Sequence, residues 1–423
     1  MDILVVGSGG REHAIIKKLK ESPKAGRIYA APGNGGIAAD AECVAIHSSD
    51  IAGVVAFAKK KAIDFVVVAP DDPLVLGMVD AFNEAGIPAF GPKKAAAAIE
   101  GSKVFSKWLM KKYGIPTADY ESFDNPQEAI AYLKQQNKYP AVIKADGLAL
   151  GKGVIIPENE ADAIKAVREM MEDGAFGDSG RRVVIEEFLT GVEVSVLAFT
   201  DGNIVVPMAS SMDHKRAHDN DEGLNTGGMG TIAPHPMYTP ELQARCMEEI
   251  FLPTISAMKQ EDREFRGCLY FGLMLCAEGP RVIEYNCRFG DPETQVVLPL
   301  LEGDLLDIMQ ATAEGRLPAV KVAQKPGAAA CVIIASGGYP VAYQKGYAIH
   351  GLDAAGGAQN VTVYHAGTTL DNGIFKSNGG RVLGVAATGN TLKAALDTAY
   401  AATAGIGFEN SFYRHDIGKK VLL

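Results

Sequence analysis

The stretch VIKADGLALGKGV, residues 142–154, places a glycine-rich loop between two short apolar runs. It is not a Walker A loop, because that motif has four residues between its glycines and a hydroxyl after its lysine. Here three residues separate Gly147 from Gly151, and Gly153 follows Lys152. The order strand, loop, strand predicts a hairpin that folds over phosphates as a lid does. An ordinary surface hairpin is the alternative.

This loop lacks a hydroxyl that could bind Mg²⁺, so a metal ion would need ligands elsewhere. The stretch VIEYNCRFGDPETQ, residues 282–295, offers such ligands. Its first residues favour a strand, and side chains alternate between the two faces of a strand. Glu284, Asn286 and Arg288 therefore share one face. Carboxylate and amide oxygens suit Mg²⁺, and an arginine beside them suits an anion. A half-exposed strand with a solvated face is the alternative. The opposite, apolar face would consist of Ile283, Tyr285 and Cys287.

The pattern of the first hundred residues predicts a parallel α/β sheet. Apolar runs such as Asp2–Val6 and Asp64–Ala69 end in glycine- or proline-rich turns and alternate with helical segments such as Ala14–Lys20. Strands that alternate with helices form a parallel sheet with helices on both faces. Ligands of such folds bind at the carboxyl ends of the strands, where these turns fall.

The first of these turns, GSGGREHA at residues 7–14, follows a strand and opens a helix. Backbone N–H groups at such a position can face an anion. The dinucleotide fingerprint requires a third glycine, and Glu12 occupies that position. Three interpretations stay open: a phosphate ligand other than a dinucleotide, NAD, and a purely structural turn.

A polar loop, SSMDHKRAHDNDEGLNTGGMG at residues 210–230, carries both signs of charge within four residues. The nearby glycines at 227, 228 and 230 indicate a shaped anion site, and a solvated loop is the alternative. His214 is a candidate general base, although most loop histidines are not catalytic. The charged quartet consists of Asp213, His214, Lys215 and Arg216.

The remaining pattern predicts several units in one chain. A small unit with two apolar runs around the glycine loop spans about 121–190, and a polar loop follows at 212–236. A helix is expected over Pro240–Lys259. Proline and lysine mark a linker near 318–328, and strand signals beyond it predict a β-rich domain at the end of the chain.

Composition excludes several classes of protein. The chain has 423 residues, a net charge of −10 and a pI of about 5.4, which argues against a protein that coats nucleic acid. No apolar run approaches the ~20 residues needed to cross a bilayer. The N-terminus has no signal-peptide pattern, and the six cysteines show no metal-binding or disulfide spacing. A cytoplasmic location without nucleic-acid or membrane partners is therefore expected.

Four motifs, in this order, resemble those of the phosphoribosylamine–glycine ligases of the ATP-grasp superfamily. Similarity continues from GSGGREHA to YRHDIG at residues 413–418 and so covers nearly the whole chain. The glycine loop alone indicates only ATP-grasp, whereas the last two long motifs are specific to the family. The four motifs are KADGLALGKGV (144–154), IEEFLTGVEVSV (185–196), MDHKRAHDNDEGLNTGGMG (212–230) and IEYNCRFGDPETQ (283–295).

The resemblance implies an α/β protein with a Rossmann-like N-terminal domain, an ATP-grasp body, a mobile lid inserted in the body, and a β-rich C-terminal domain. The expected bounds are 1–100 for the N-terminal domain, 101–120 and 191–326 for the body, 121–190 for the lid, and 327–423 for the C-terminal domain. A monomer is expected.

The resemblance also implies roles for individual residues. Lys103 and Lys144 would contact ATP phosphates, residues 186–189 would form the adenine hinge, and Glu193 would take the ribose hydroxyls. The implied nucleotide-binding residues are Lys103, Lys144, Gly147, Gly151, Lys152, Gly153, Glu186, Glu187, Leu189 and Glu193. The implied residues for glycine and phosphoribosylamine are Gly9, Gly10, Arg11, Glu12, Pro32, Gly33, Asn34, Asp71, Asp213, His214, Lys215, Arg216, Gly228 and Arg288. The implied ligands of Mg²⁺, or of Mn²⁺, are Glu284 and Asn286. The implied catalytic residues are Lys144, Asp213 and Arg288.

Some positions depart from the family pattern. Asp71 stands where the family usually has glutamate, which keeps the charge and shortens its reach by one methylene. This departure bears on how phosphoribosylamine is bound more than on the class of reaction. The other departures are Leu150, Met212, Asn220 and Leu224.

The implied reaction is the ATP-dependent ligation of glycine to 5-phosphoribosylamine through glycyl phosphate. Phosphoryl transfer needs positioning and charge neutralisation, which the lysines, the arginine and the metal ion would supply. Two alternatives stay open at this point. One is another ATP-grasp ligase or carboxylase, and the other is a nucleotide-binding protein without turnover.

Overall fold

Residues 1–101 fold around a five-stranded parallel sheet, in a computed structural model that describes residues 1–148, 153–173 and 177–422. The strand order is β3-β2-β1-β4-β5. Every residue of the central strand Ile3–Gly7 is buried, since helices cover both faces of the sheet. The predicted parallel α/β unit is confirmed. Its strands are β1 (Ile3–Gly7), β2 (Ile28–Pro32), β3 (Glu42–Cys43), β4 (Phe65–Val68) and β5 (Ala89–Phe90). Its helices are α1 (Gly10–Leu19), α2 (Ile51–Lys61), α3 (Asp71–Leu76), α4 (Met78–Glu84) and α5 (Lys94–Gly101).

A smaller antiparallel sheet with strand order β6-β9-β7-β8 follows the helix α6 (Lys103–Tyr113). Two helices pack on this sheet, and their apolar residues form a hydrophobic cluster of their own, which runs from Phe123 to Ile185. This arrangement agrees with the predicted pair of apolar runs around a glycine loop. The elements are β6 (Tyr120–Phe123), α7 (Pro126–Gln136), β7 (Ala141–Ala145), β8 (Val154–Ile155), α8 (Glu160–Met171) and β9 (Val183–Glu187).

A second antiparallel sheet, with strand order β11-β10-β16-β17, carries the polar motif at 282–295. The helix predicted over Pro240–Lys259 is present and contains a π-helical turn at Met247–Phe251. The elements are β10 (Val192–Thr200), β11 (Val205–Pro207), α9 (Pro240–Cys246), α10 (Leu252–Gln260), β16 (Gly267–Cys276), β17 (Gly279–Asn286), α11 (Thr294–Val297) and α12 (Leu305–Glu314).

The segment 212–233, which the sequence predicted as part of a long loop, contains four short strands. Two of them pair with each other as a small hairpin, and the other two join the sheet of the C-terminal region. The prediction missed them because charged residues and glycines mask strand signals of only two to four residues. They are β12 (Met212–Asp213), β13 (Arg216–His218), β14 (Glu222–Asn225) and β15 (Gly230–Ala233).

The C-terminal region forms an antiparallel sheet with strand order β12-β15-β20-β24-β21, and β25 also pairs with β20. The helix α14 covers one face through Leu396 and its neighbours. The remaining elements are β18 (Leu301–Glu302), β19 (Ala323–Gln324), β20 (Ala328–Ser336), α13 (Leu352–Gly356), β21 (Val361–His365), β22 (Thr368–Asp371), β23 (Ile374–Ser377), β24 (Arg381–Gly389), α14 (Leu392–Thr403), β25 (Ser411–Phe412) and α15 (Lys419–Leu422).

Two large hydrophobic clusters tie the units together. One joins strand residues of the N-terminal sheet to the sheet that holds Tyr285 and Cys287, and the other reaches from Val5 through Phe289 to Ile333 in the C-terminal sheet. The polar motif therefore lies where these units meet, since Tyr285 and Cys287 belong to one cluster and Phe289 belongs to the other. No helix in the described part of the chain combines the length and the apolar character that a bilayer crossing requires.

Candidate active site

The polar face of β17 opens into a cleft, as its alternation predicts. Glu284 and Asn286 are partly exposed, whereas Tyr285 and Cys287 are buried. The alternation fails at Ile283, where the pairing with β16 shifts between Gly272 and Leu273 and leaves one extra residue in β17. This bulge turns the Ile283 carbonyl toward the cleft, where it accepts a hydrogen bond of 3.0 Å from Lys144 Nζ. Bulges often re-aim groups next to active sites.

Cations surround the Glu284 carboxylate. Lys215 Nζ lies 3.4 Å from Glu284 Oε1 and holds the pKa of this carboxyl at about 2, with further help from Lys144 and Lys103. The same pairing raises the pKa of Lys215. Glu284 is therefore ionised at neutral pH while 36 % of its side chain remains exposed to the cleft. An ionised, accessible carboxylate is the group that binds a hard cation.

Arg288 is held in place by three oxygen-bearing side chains. Its Nη2 donates to Asn286 Oδ1 at 2.9 Å, lies 3.0 Å from Glu100 Oε1 and lies 3.8 Å from Asp71 Oδ2. Glu100 also accepts the Cys287 N–H at 2.7 Å, so that one buried carboxylate contacts both residues that follow Asn286 at the end of β17. Burial and the nearby Asp71 raise the pKa of Glu100, although Arg288 opposes this shift. Asp71 thus contacts the predicted anion-binding arginine.

Lys144 and Glu186 meet in the buried part of the cleft, where Lys144 Nζ lies 3.0 Å from Glu186 Oε1. The other oxygen of Glu186 lies 2.8 Å from Lys107 Nζ, and Lys107 also donates to Thr117 Oγ1. Burial lowers the pKa of Lys107 to about 8, against the opposing effect of Glu186. The sequence analysis did not single out Lys107, because one lysine on an amphipathic helix carries no signal of burial.

Lys103 begins the helix α6 and points at the glycine loop. Its Nζ donates to the Gly147 carbonyl at 2.7 Å, and burial lowers its pKa while Glu284 opposes that shift. Ser102 caps the helix through the Phe105 N–H. Gly153 lies at the far end of the glycine loop, and its carbonyl accepts the Ala145 N–H. The expectations for Gly151 and Lys152 fall outside the described residues.

The hinge segment, residues 186–189, begins with the last two residues of β9, and its two glutamates differ in exposure. Glu186 is buried, whereas the exposed Glu187 forms an ion pair of 2.8 Å with Arg281. The side chain of Glu187 thus joins the lid sheet to β17. Glu193 is exposed on β10, with its Oε2 3.8 Å from Lys215 Nζ.

The GSGGREHA turn contains a buried ion pair. Glu12 accepts the Gly9 N–H at 2.5 Å and lies 2.6 Å from Arg11 Nε. Arg11 also donates to the Phe289 carbonyl, so this turn contacts the residue after Arg288. A Cβ on Gly10 would lie 2.7 Å from the Gln295 side chain, which explains a glycine there. Glu12 thus forms the capping contact that closes this turn.

The Asn34 side chain forms hydrogen bonds with four backbone groups. Its amide nitrogen donates to the Ser8 and His365 carbonyls, and its oxygen accepts from Gly36 and Ile37. Asn34 therefore shapes the PGN turn, in which the Gly33 and Gly35 N–H groups donate to the Gly7 and Thr368 carbonyls. The turn itself comprises Pro32, Gly33 and Asn34.

His214 and its neighbours in the charged quartet face different ways. The His214 ring is buried, with Nδ1 3.2 Å from the Gly230 carbonyl and Nε2 accepting the Gly418 N–H at 2.9 Å. Burial lowers its pKa to about 4. Both ring nitrogens are engaged by backbone groups, which argues against its use as a general base. Arg216 donates to the Gly223 carbonyl within the hairpin.

Asp213 is partly exposed at the edge of the cleft. Burial and the neighbouring Glu293 raise the pKa of its carboxyl, against Lys215 and Arg381. Gly228 has a φ of +112°, and a Cβ there would lie 2.5 Å from Asp213 Oδ1. A glycine at 228 thus allows the loop to pass close to this carboxylate.

The residues present fit a divalent cation that also binds phosphate. Glu284 supplies an ionised carboxylate and Asn286 an amide oxygen, the ligands that Mg²⁺ prefers. Within the described residues there is no group of three or more His, Cys, Asp or Glu side chains able to form a complete cage. Mg²⁺ is usually held by one or two protein oxygens together with substrate phosphates, so this pair suffices.

Sequence reasoning did not find several groups that shape the site. Glu100, Lys107 and Arg381 come close only through long-range folding, and Arg381 donates to the Gly227 and Asp291 carbonyls from the C-terminal sheet. No short motif contains these residues. A buried charge is visible only after the chain has folded.

Comparison with family models shows three consecutive matches. Phosphoribosylglycinamide synthetase models match with the N domain at residues 1–100, the ATP-grasp (A) domain at 101–294 and the C domain at 329–420. The phosphoribosylamine–glycine ligase of Vibrio parahaemolyticus is 47% identical over 425 residues, covering 100% of this chain and 99% of that protein.

Solved structures agree with these matches. A crystal structure of phosphoribosylamine–glycine ligase from Thermotoga maritima has a TM-score of 0.84 and 34% identity, and covers 99% of this chain and 100% of its own. The biotin carboxylase domain of the Hydrogenobacter thermophilus 2-oxoglutarate carboxylase has a TM-score of 0.74 at 17% identity, covering 97% and 91%. The latter likeness shows a shared fold only.

The fold and the cleft together define an ATP-grasp protein, with paired sheets around a cluster of lysines and a carboxylate. Similarity over the full length of the chain then identifies the family within this superfamily. The chain belongs to the phosphoribosylglycinamide synthetase family, the family of the phosphoribosylamine–glycine ligases. The resemblance seen in the motifs is thus confirmed, and a carboxylase is not favoured.

Proposed function

We propose that this protein ligates glycine to 5-phosphoribosylamine at the expense of ATP, in two steps through glycyl phosphate. The reaction class follows from the family: the chain is an ATP-dependent ligase of purine biosynthesis. The observation that carries the residue assignment is the cluster of Lys103, Lys144 and Lys215 around the ionised Glu284. Such a cluster suits the terminal phosphates of a nucleotide and a divalent ion.

In the first step, a glycine carboxylate oxygen attacks the γ-phosphorus of ATP and ADP leaves. Lys103 and Lys144 neutralise charge on the phosphate oxygens, and Arg288 holds the glycine carboxylate or the acyl phosphate formed from it. Phosphoryl transfer is catalysed mainly by such positioning and charge neutralisation. Loss of one such contact typically costs ~10²–10³ in rate.

In the second step, the amine of phosphoribosylamine attacks the acyl carbon, and inorganic phosphate leaves. Asp213 lies at the edge of the cleft, where burial and Glu293 raise the pKa of its carboxyl, and it is our candidate for the group that exchanges a proton in this step. The phosphoribosyl group lies between the GSGGREHA turn, the PGN turn and the loop that carries Lys215 and Arg216. Asp71 and Arg11 complete this side of the site.

Glu284 and Asn286 would hold Mg²⁺, and Mn²⁺ is the other candidate. When bound, the ion neutralises developing charge on the phosphate oxygens. Residues 186–189 would accept the adenine, with Lys107 fixing the Glu186 carboxylate, and Glu193 would meet the ribose. The loop 147–153, with Gly151 and Lys152, would cover the phosphates and exclude water from the acyl phosphate.

The domain bounds of the sequence analysis remain our proposal: 1–100, the body at 101–120 and 191–326, the lid at 121–190, and 327–423. Segments 212–213 and 230–233 belong to the body in sequence and to the C-terminal sheet in space. We place the protein in the cytoplasm, as a monomer with neither nucleic acid nor membrane as a partner.

The decisive experiment measures ADP release with glycine plus freshly made phosphoribosylamine. Turnover that needs both substrates and a divalent ion is the expected result. Each alternative has its own outcome: turnover with bicarbonate would indicate a carboxylase, and nucleotide binding without multiple-turnover ADP release would indicate a binding protein. Either result would overturn the proposal.

A further inference from the structure

The motif YRHDIG near the C-terminus has no role in the chemistry described so far. Residues 414–420, which we call the C-terminal clasp, run along the loop that begins with the charged quartet. Arg414 is 1 % exposed, which is unusual for an arginine. A buried guanidinium must be paired, so its partners show what the clasp does.

Arg414 joins the clasp to the loop. Its Nη1 donates to the Arg216 carbonyl at 3.0 Å and lies 2.9 Å from Asp221 Oδ1. Its Nε and Nη2 donate to the two oxygens of Asp416, each at 2.8 Å. Asp416 in turn accepts the Asn220 N–H at 2.8 Å. One arginine and one aspartate thereby hold the loop at three points.

Three further contacts continue the clasp on the C-terminal side of Arg414. The His415 N–H donates to Asp219 Oδ1 at 2.7 Å, and Lys420 forms an ion pair with Asp221. The Gly418 N–H donates to His214 Nε2 at 2.9 Å. The loop from 214 to 221 therefore depends on the clasp for much of its hydrogen bonding.

The loop divides its side chains between the clasp and the cleft. His214 points to Gly418, whereas Lys215, the next residue, reaches Glu284 in the cleft. Successive residues of an extended segment face opposite ways, so holding His214 and the Arg216 carbonyl directs the Lys215 side chain, which lies between them, into the cleft. The clasp itself is anchored by Tyr400, whose hydroxyl donates to the Arg414 carbonyl and accepts the Ile417 N–H.

We propose that Arg414 and Asp416 are positioning residues for the phosphoribosylamine subsite, acting through the loop that carries Lys215 and Arg216. The inference rests on the proposed function of that loop. The clasp holds the loop in its binding shape before substrate arrives, which removes an ordering cost from binding. Loosening the clasp weakens the binding of the acceptor substrate more than that of ATP, because Lys103 and Lys144, which we assign to the ATP phosphates, lie on α6 and β7 and not on this loop.

Arg414→Lys is the first test, because lysine keeps the charge and cannot form the forked contact with Asp416 while reaching Arg216. We expect the KM for phosphoribosylamine to rise about tenfold. The KM for ATP stays within about twofold. The matched control is Arg245→Lys, since Arg245 also binds a carboxylate and a carbonyl but lies on α9, on the surface of the body. Arg245→Lys should leave the KM values for ATP, glycine and phosphoribosylamine unchanged.

Asp416→Asn is the second variant, since its amide keeps the shape of the side chain if Arg414→Lys fails to fold. Thermal unfolding separates a structural role from a positioning role. A lower Tm with an unchanged KM for phosphoribosylamine would overturn the inference, as would an equal rise of all three KM values. Absence of glycine- and phosphoribosylamine-dependent turnover in the unaltered protein would instead overturn the proposed function.

Discussion

Glu284 is the residue on which the proposed metal site depends. Lys215 lowers the pKa of the Glu284 carboxyl and so keeps it ionised, and this carboxylate is the only ionised group of the proposed ligand pair. Glu284→Ala should therefore lower Mg²⁺-dependent ADP release by ~10²–10³ or more without unfolding the protein. Circular dichroism and a Mg²⁺ titration of the rate check this expectation. Glu302→Ala removes an exposed carboxylate elsewhere and serves as the control. Near-normal turnover would remove Glu284 from the metal site.

Lys107 gives the proposed nucleotide pocket a pH dependence. Burial lowers its pKa to about 8, so Lys107 loses its charge, and Glu186 loses an ion-pair partner, as the pH rises through 8. We expect the KM for ATP to increase between pH 7 and pH 9. Lys107→Met should raise this KM already at pH 7 and flatten its change with pH. A variant whose KM rises with pH as in the unaltered protein would show that another group titrates.

At the scale of single residues, the sequence predicted which side chains lie in the cleft better than it predicted their partners. Alternation along β17 was enough to place Glu284, Asn286 and Arg288 on the open face, because a period of two needs no tertiary information. Glu100, which pairs with Arg288 and accepts the Cys287 N–H, lies 187 residues before Cys287 in the chain. Nothing in local spacing can reveal a contact of that range.

At the scale of elements, the lid packs on its own core. Its hydrophobic cluster includes residues of α7, α8 and the lid sheet only. The links from the lid to the body are polar, such as Glu187 with Arg281 and Lys144 with the Ile283 carbonyl. Polar links of this kind can break and re-form without loss of the core, which suits an element that moves.

Hydrogen exchange can test the lid. A nonhydrolysable ATP analogue with Mg²⁺ should slow exchange in residues 121–190, because the nucleotide would bind Lys144 and the hinge. Residues 361–389 of the C-terminal sheet should show no change and provide an internal reference. Equal protection of both regions would contradict a separately moving lid.

The elements that the sequence missed share a physical cause. Long apolar runs such as β1 and β20 were predicted correctly, because their burial dominates their conformation. The strands between 212 and 233 are short, and each exists because it pairs with another: β13 pairs with β14, and β15 pairs with β12 and β20. The bulge at Ile283 likewise arises from the pairing of β17 with β16, in which Gly272 pairs with Glu284, and not from the local sequence. Tertiary pairing overrides local preference at such sites.

At the scale of the whole molecule, buried histidines make stability depend on pH. Burial lowers the pKa to about 4 for His214 and His235 and to about 3 for His365. The unfolded chain protonates these rings near pH 6.5, so between about pH 6.5 and 4 it binds more protons than the folded chain does. Stability therefore falls as the pH falls through this range. At pH 5.5 the loss is ~1.4 kcal/mol per histidine by linkage.

Urea unfolding at pH 7.5 and pH 5.5 measures this effect, and the midpoint should be lower at pH 5.5. His235→Asn should reduce the difference between the two midpoints, since it removes one of the buried rings whose pKa is lowered. His47→Asn replaces an exposed histidine and should leave the difference as it is. Equal midpoints at the two pH values would contradict buried, neutral rings.

The pairing of β15 with β20 has a consequence for biosynthesis. On the ribosome, β15 emerges about a hundred residues before the strand that completes its pairing. At translation rates of roughly 5–20 residues per second, its edge stays open for roughly 5–20 s. An open edge is a template for wrong pairing between nascent chains. The N-terminal sheet and the lid can mature during this interval, whereas the acceptor side of the cleft is assembled last, once the far end of the polypeptide has been made.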